Sequence, residues 1–315
     1  PDSALYNIPI ALKLSGPLNL DALEKAFNDL IQRHESLRTV FPTTQGEANQ
    51  VILPHNFISI SQALDDLSNL NSEEQLKSIE IFASQEANTP FNLASGPLIR
   101  FKILKLSQHE HALLITMHHI ISDGWSIGIL FKEISSLYNA YLRNNEISLS
   151  PLPIQYADFT LWQRQWLQGD VLETQLSYWK QQLSDIPDLL ELPTDKPRPK
   201  ELTYKGAFYH YTLSKEIKDQ LNALAHKQGV SLFMTLLTLF QILLYRYTGQ
   251  KTIVVGSPIA NRHYKEIEDL IGFFINSLAL KTSFDDNQTF LSVLDKVKET
   301  TLQAYQHQDV PFEQL

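Results

Sequence analysis

Ten residues in the first half of the chain bring together side chains that can move protons at neutral pH. Residues 117–126 read MHHIISDGWS. An imidazole titrates in this pH range, a nearby carboxylate can orient an imidazole or pair with an arginine, and glycine admits a close approach by substrate. The sequence therefore predicts an active site at His118, His119, Asp123 and Gly124.

Two regular elements must position this block. The apolar run over residues 112–117 predicts a buried strand, and apolar residues at helical spacing from Ile127 to Leu142 predict an amphipathic helix. A strand-to-helix junction lifts side chains out of a sheet edge and places free backbone N–H groups beside them. The predicted site lies at this junction.

The residues alone leave several roles open. Adjacent strand residues point to opposite faces, so at most one of His118 and His119 faces a given cleft. Asp123 fits an imidazole partner, an arginine partner or a helix cap, and Ser126 suits the N-cap of the following helix. In a non-catalytic interpretation, the two histidines are buried and hydrogen-bonded, and Asp123 caps the following helix. No metal site is predicted, because neighbouring strand histidines cannot both bind one ion.

A serine-hydrolase interpretation stays open as a weaker alternative. Residues 124–128 (GWSIG) fit the G-x-S-x-G pattern of a nucleophile elbow, with Ser126 as nucleophile and with Asp285, Asp286 and His307 in the required order. An elbow places its serine directly behind the strand, whereas three polar or small residues intervene here. Short glycine–serine patterns are also common by chance.

Composition bounds the class of protein. A chain of 315 residues with 43% hydrophobic and 19% charged residues predicts a globular fold of two domains or lobes. The absence of cysteine excludes disulfides and fits a reducing compartment. A net charge of −9 argues against nucleic-acid binding. The apolar run 232–245 is too short for a membrane span, no signal peptide is visible, and the ends suggest a piece of a longer chain.

Strands and helices alternate along the whole sequence, which predicts an α/β (α+β) fold. The hairpin over residues 101–117 delivers the histidine pair. Four prolines between 187 and 199 break regular structure and place the lobe boundary, giving an N-terminal lobe at 1–185 and a C-terminal lobe at 186–315. A strand over 207–213 and a helix over 215–228 then repeat the pattern of residues 7–34.

Five blocks in order resemble one family. Residues 33–41 match RHExLRTxF, 117–126 contain HHxxxDG, 156–162 match YxDFxxW, 271–277 match IGxFVN with Ile275 for valine, and 307–313 match HQDxPFE. The sequence thus resembles the condensation domain of nonribosomal peptide synthetases, in the chloramphenicol-acetyltransferase-like superfamily. It is most similar to the subtype that joins an L-configured donor to an L-amino acid.

The resemblance implies two chloramphenicol-acetyltransferase-like lobes in a V-shaped pseudo-dimer around a tunnel, with the second lobe incomplete and the family's first and last motifs missing. It implies transfer of a donor acyl or peptidyl group from one carrier-protein thioester to the amine of an aminoacyl thioester on the next carrier. The central residue is then His119, either as base or as a group that positions the amine. His118 is expected to be structural, and Gly124 to supply room or a backbone N–H.

The remaining site residues are expected to support the block. The matching motif supplies Arg38 as the arginine for Asp123, Trp125 and Ser126 pack and cap, and Asn276 gives structural or substrate support. No cofactor binds the domain itself, since phosphopantetheine arrives on the carriers. Expected partners are upstream and downstream carrier domains and an adenylation domain, within a multidomain synthetase in the cytoplasm. A stand-alone acyltransferase of the same superfamily and a non-catalytic docking piece also stay open.

Overall fold

The computed structural model describes residues 3–56, 58–59, 63–147, 149–200, 206–207 and 209–315. The strands are β1 (Asn7–Ser15), β2 (Thr39–Val40), β3 (Thr43–Thr44), β4 (Glu47–Ala48), β5 (Val51–Ile52), β6 (Leu64–Asp66), β7 (Ile99–Lys105), β8 (Glu110–His118), β9 (Thr252–Ile259) and β10 (Asn276–Ser283). The α-helices are α1 (Leu20–Arg33), α2 (Ser72–Asn88), α3 (Gly124–Arg143), α4 (Tyr156–Trp166), α5 (Gly169–Gln182), α6 (Lys215–Gln228), α7 (Leu232–Thr248), α8 (Lys265–Glu268) and α9 (Phe290–Gln306).

The chain divides into two compact units that are not simple halves. The first comprises Pro1–Gln163 together with Arg262–Phe274, and the second comprises Arg164–Asn261 together with Ile275–Leu315. The sequence placed its lobe boundary later, between residues 185 and 186. The segment 262–274 therefore belongs with the first unit although about a hundred residues separate it from the rest of that unit.

The first unit is built on a four-stranded sheet in the order β1-β8-β7-β6. β8 pairs antiparallel with β1 and with β7, and β6 pairs parallel with β7. Alternate residues of β8 enter two different cores: Leu113, Ile115 and Met117 face the larger one, and Ala112 and Leu114 face the smaller one. A strand covered on both faces reads as a continuous apolar run, which explains the sequence before the histidine pair.

Helices cover the two faces of this sheet. α1 packs against α3 in the larger core, which includes Phe27, Leu30 and Leu130. α2 covers the other face through Ile79, Phe82 and Ala83. The apolar residues on one side of α1 are thus the ones that pack into this core. This layering holds the end of β8 and the start of α3 in fixed positions.

The second unit packs helices around the antiparallel pair β9–β10. Trp179 of α5 and side chains of α7 and α9 form its core with both strands. α7 begins at the cap Ser231 and ends before Gly249, whose φ of 69° is left-handed. Among the described residues, no single helix is long and apolar enough to cross a membrane; α6 and α7 pass that test only as a pair bent by 105°.

Most predicted helices and strands occur within a few residues of their expected bounds. The strand expected over 207–213 is wrong: residues 207 and 209–213 are not in a strand, and 208 lies outside the described residues. Tyr209 is 91% exposed and Tyr211 76% exposed, so the apolar residues of this alternation do not face a core. β10 begins at Asn276, and residues 271–274 lie in irregular backbone.

Candidate active site

The histidine pair spans the end of β8 and the first residue of a short 3₁₀ helix, His119–Ile121. Backbone hydrogen bonds fix both residues: the His118 N–H donates to the Leu98 carbonyl at 2.9 Å, and the His119 N–H donates to the Tyr6 carbonyl at 2.8 Å. The predicted hairpin therefore delivers the pair to the edge of the sheet. The two imidazoles occupy different environments because the strand ends between them.

His118 is buried and supports the turn. Its Nδ1 accepts a hydrogen bond from the Ile120 N–H at 3.1 Å, so that this nitrogen is deprotonated. Its ring lies near those of Tyr6 and Phe91. Burial lowers the pKa of His118 below its ordinary value, and the neighbouring His119 lowers it further. A neutral imidazole that holds the backbone fits the structural role expected for His118.

His119 is half-buried and differently held. Its ring meets the ring of Phe273 edge to face, with centroids 5.1 Å apart. Its Nδ1 is buried and has no hydrogen-bond partner among the described residues. Catalytic histidines are usually oriented by a carboxylate or carbonyl on the nitrogen away from the substrate. The described residues give His119 no such bond on Nδ1 and place the Phe273 ring beside the imidazole.

Asp123 is 1% exposed and its ion-pair partner is Arg262. The guanidinium Nη2 donates to Oδ1 at 3.2 Å and to Oδ2 at 3.3 Å. Its Nη1 binds the carbonyls of Ile267 and Leu270 at 2.6 and 2.7 Å. Burial lowers the pKa of Arg262, and the charge of Asp123 opposes that shift.

The predicted pair of Asp123 with Arg38 is therefore wrong. Arg38 donates to the Leu53 carbonyl at 2.6 Å and contacts the Glu35 carboxylate at 3.4 Å. It closes the turn after α1 and has no contact with Asp123. Sequence could not reveal Arg262, since it lies 139 residues after Asp123 and outside the five recognised blocks.

Ser126 is 0% exposed and cannot serve as a surface nucleophile. Its hydroxyl lies 2.7 Å from Asp123 Oδ1 and 3.0 Å from the Gly272 carbonyl, which share its one proton. The same oxygen accepts from Arg262 at 3.0 Å and from the Gly272 N–H at 3.1 Å. The carboxylate beside this hydroxyl is already paired with Arg262, and burial keeps substrate away, so Ser126 lacks both the free base and the access that a nucleophile needs. The position of Ser126 therefore argues against the serine-hydrolase alternative, which needs this serine as its nucleophile.

The helix that follows the block begins at Gly124, three residues earlier than expected. Its N-cap is Asp123, whose Oδ1 accepts the Ser126 N–H at 2.8 Å, so the expectation that Ser126 is the cap is wrong. Gly124 is exposed, and an added Cβ would meet no atom within 4 Å. Trp125 is 50% exposed and donates from its indole to the Glu268 carbonyl at 3.0 Å.

The residues 33–36 form a second buried cluster behind the block. Glu133 of α3 is 4% exposed, accepts from Arg33 Nε at 3.1 Å and contacts His34 Nε2 at 2.8 Å. His34, 1% exposed, accepts the Ile271 N–H on its other nitrogen at 3.3 Å. Glu133 is not part of the predicted site, although a carboxylate on the apolar face of an amphipathic helix indicates a buried partner.

Tyr156 completes the surroundings of residues 271–274. Its hydroxyl donates to the Phe273 carbonyl at 2.8 Å, and its ring packs against Phe274. An added Cβ on Gly272 would lie 2.4 Å from the Tyr156 ring, so that only glycine fits there. Burial, followed by the charge of Asp123, raises the pKa of Tyr156 to about 12. The phenol therefore stays a donor across the neutral range.

Asn276 lies in the second unit and organises the chain end. Its amide donates to the carbonyls of Gln308 and Val310, both at 2.7 Å, and its oxygen accepts the Phe312 N–H at 3.1 Å. Asn276 therefore links the start of β10 to residues 308–312 by three hydrogen bonds, so the block at 271–277 contacts the block at 307–313 directly.

The fold and the site together define the class. A mixed sheet with helices on both faces carries a half-buried imidazole just beyond the end of a strand, which is the placement that the condensation-domain resemblance predicts for His119. The family model described as the condensation domain matches residues 1–315. The chain therefore belongs to the condensation-domain family.

Known proteins agree with this assignment. The chain is 49% identical over 315 residues to a linear gramicidin synthase of Brevibacillus parabrevis, covering 100% of the chain and 6% of that synthase. It is similar to the X-domain from teicoplanin biosynthesis, with a TM-score of 0.87 and 27% identity over 98% of this chain and 68% of that one.

The first condensation domain of the calcium-dependent antibiotic synthetase, bound to a substrate analogue, has a TM-score of 0.81 at 20% identity, covering 100% of this chain and 72% of that one. At this identity the likeness concerns the fold, and it confirms the predicted chloramphenicol-acetyltransferase-like fold class.

Proposed function

We propose that this chain forms peptide bonds in nonribosomal peptide synthesis. The observation that carries the proposal is the difference between the two imidazoles. His118 Nδ1 accepts a backbone hydrogen bond, whereas His119, just after β8, is half-buried and its Nδ1 has no hydrogen-bond partner among the described residues. Membership of the condensation-domain family supports the same reaction. The amine of an aminoacyl thioester attacks the thioester carbonyl of the donor.

The reaction forms a C–N bond and breaks a C–S bond, and the donor thiol leaves with a proton. An α-amino group titrates near about 8, so a useful fraction is neutral and can attack unaided. The tetrahedral adduct is zwitterionic and must lose a proton from nitrogen. His119 either accepts that proton or holds the amine in line with the carbonyl.

Gly124 is the proposed place for the reacting thioester. The first N–H groups of α3 have no intrahelical acceptor, and the exposed glycine leaves space in front of them. Backbone donors aimed at a developing oxyanion stabilise it strongly where water is excluded. Asp123 and Ser126 support this turn from below without touching substrate.

The wider assignments belong to the same proposal. The donor and acceptor arrive as phosphopantetheine thioesters on carrier domains, next to an adenylation domain in a multidomain synthetase of the cytoplasm. The pattern at residues 33–41 and 117–126 favours an L-configured donor and an L-amino acid. The lobes at 1–185 and 186–315 stay predictions. The chain spans only a small part of its synthase relatives, 6% for the gramicidin synthase.

The test uses the intact protein that contains this chain, with donor- and acceptor-loaded carriers. Mass spectrometry follows the acceptor carrier, which should gain the donor acyl mass. We expect His119→Ala to slow this gain by about 10²–10⁴-fold. His109→Ala is the matched control, because His109 is an exposed histidine on the β7–β8 turn.

Two further arms separate the alternatives. A soluble acyl thioester that replaces the donor carrier without loss of rate would favour a stand-alone acyltransferase. A fluorophosphonate probe that labels Ser126 would restore the hydrolase interpretation. An acceptor mass that never changes in the wild type, with both carriers loaded, would leave only a non-catalytic docking role.

A further inference from the structure

The four residues 271–274, here called the IGFF segment, have irregular backbone that other side chains hold in place. The Ile271 N–H donates to His34 Nδ1 at 3.3 Å, and the Ile271 carbonyl accepts from the Ser36 hydroxyl at 2.6 Å. Both partners are fully buried, at 1% and 3% exposure. The first residue of the segment is thus fixed by the block at residues 33–41.

The next three residues are fixed by the other two blocks of the same unit. The Gly272 N–H and carbonyl both contact the Ser126 hydroxyl, at 3.1 and 3.0 Å. The Phe273 carbonyl accepts from the Tyr156 hydroxyl at 2.8 Å, and the Phe274 N–H donates to Asp123 Oδ2 at 3.1 Å. Side-chain groups therefore replace the backbone ladder that a strand would have provided.

This arrangement leaves one side chain of the segment free to face the site. Ile271 and Phe274 are buried, at 1% and 3% exposure, whereas Phe273 is 40% exposed. Its ring meets the imidazole of His119 edge to face at 5.1 Å. His119 Nδ1 has no hydrogen-bond partner among the described residues, so this ring contact can restrain the imidazole where a hydrogen bond does not.

We propose that Phe273 is a positioning residue for His119, and that the IGFF segment is the support that aims it. The inference rests on the proposed function of His119. Phe273 touches neither the thioester nor the amine; it restricts the rotation of the imidazole, so that the nitrogen facing the substrate is oriented before substrate arrives. Side chains from the blocks at 33–41, 117–126 and 156–162 hold the backbone of the IGFF segment, and this backbone places the Phe273 ring beside His119.

The experiment compares Phe273→Leu with Phe273→Tyr in the intact protein that contains this chain. Single-turnover transfer is followed at saturating acceptor carrier. We expect the leucine variant to be about tenfold slower, the upper range for loss of one aromatic pair, with an unchanged KM for the acceptor. The tyrosine variant keeps the ring and should stay within about twofold. Phe240→Leu, at an exposed phenylalanine of α7, is the matched control.

A second readout does not need activity. Diethyl pyrocarbonate modifies neutral imidazoles, and peptide mass spectrometry locates the product on His119. A released ring should be modified several-fold faster in Phe273→Leu than in the wild type, and Phe273→Tyr should react like the wild type. His109 provides an internal reference in the same sample. Circular dichroism checks each variant, and Phe273→Met replaces the leucine variant if the latter is unfolded.

The outcomes separate the two proposals. If the leucine variant transfers and reacts like the wild type, or if tyrosine fails to rescue either readout, the positioning role is overturned. If the wild type itself never transfers an acyl group, the proposed function fails, and the modification rates still decide whether Phe273 restrains His119.

Discussion

At the scale of single residues, we expect loss of the buried Asp123–Arg262 ion pair to lower the stability of the fold strongly. Removal of Asp123 leaves a buried guanidinium without its anion, and it leaves the Phe274 N–H and the Ser126 N–H without their acceptor. Breaking a buried pair by deleting one partner costs about 3–5 kcal/mol. We expect Asp123→Ala to lower the free energy of unfolding by that amount, measured by urea denaturation. The soluble yield should fall as well.

Arg38→Ala provides the control for this prediction. Arg38 and Glu35 are partly exposed, with side-chain exposures of 20% and 31%, so that their ion pair contributes about 1 kcal/mol or less. Asp123→Ala protein with normal yield and unfolding free energy, but with slow acyl transfer, would show that Asp123 acts on the chemistry instead.

These two arginines also show how far single residues could be predicted. Sequence located the histidine pair, the carboxylate and the glycine, because they are contiguous and flanked by a clear strand and helix. It assigned Asp123 the kind of partner it has, yet chose the wrong arginine. Spacing along the chain carries no information about an ion pair between residues 139 positions apart, and burial of both groups is visible only in the fold.

At the scale of elements, the IGFF segment depends on a glycine for packing. A Cβ at Gly272 would lie 2.4 Å from the Tyr156 ring and 2.9 Å from the Phe274 ring. Overpacking of this kind costs about 1–3 kcal/mol. We expect Gly272→Ala to lower the unfolding free energy by this amount and to slow acyl transfer, since Tyr156 binds the Phe273 carbonyl.

Gly128→Ala is the matched substitution in α3, because a Cβ there would meet no atom within 4 Å. Alanine should stabilise that helix by about 0.5–1 kcal/mol. A Gly272→Ala protein that matches the wild type in stability and in transfer would mean that Tyr156 moves aside freely and that the segment tolerates the change.

Helix and strand prediction succeeded where one periodicity dominates and failed where tertiary contacts decide. α1 and α6 follow from amphipathic patterns with clear caps. The stretch 207–213 alternates like a strand, yet its described residues, 207 and 209–213, are not assigned to one. Residues 271–274 are apolar, and side chains rather than a neighbouring strand hold their backbone. Local sequence does not record whether another strand lies within hydrogen-bonding distance.

At the scale of the molecule, the first unit is completed by a segment distant in sequence. Segment 262–274 contributes Ile271 to the main core and Ile267, Leu270 and Phe274 to the core around Phe159. It also supplies Arg262 to Asp123. A boundary drawn from proline content follows the order of the chain, so it could not show that the N-terminal unit takes a segment from the later half.

This division predicts how fragments of the chain behave. Residues 1–163 alone leave Asp123 buried without its cation and expose the core around Phe159. We expect this fragment to be largely insoluble or to lack a cooperative thermal transition in circular dichroism. Joining residues 262–274 to it through a flexible glycine–serine linker should restore solubility and a cooperative transition, because the segment returns both the apolar contacts and the charge.

The matched control is the same fusion with Arg262→Ala. It keeps the apolar side chains and omits the cation, so it should recover less than the native fusion, by about the 3–5 kcal/mol of a broken buried pair. Equal rescue by both fusions would assign the completion of the unit to apolar packing alone. A cooperative, soluble 1–163 fragment would contradict the division itself, since Asp123 would then be accommodated without its partner.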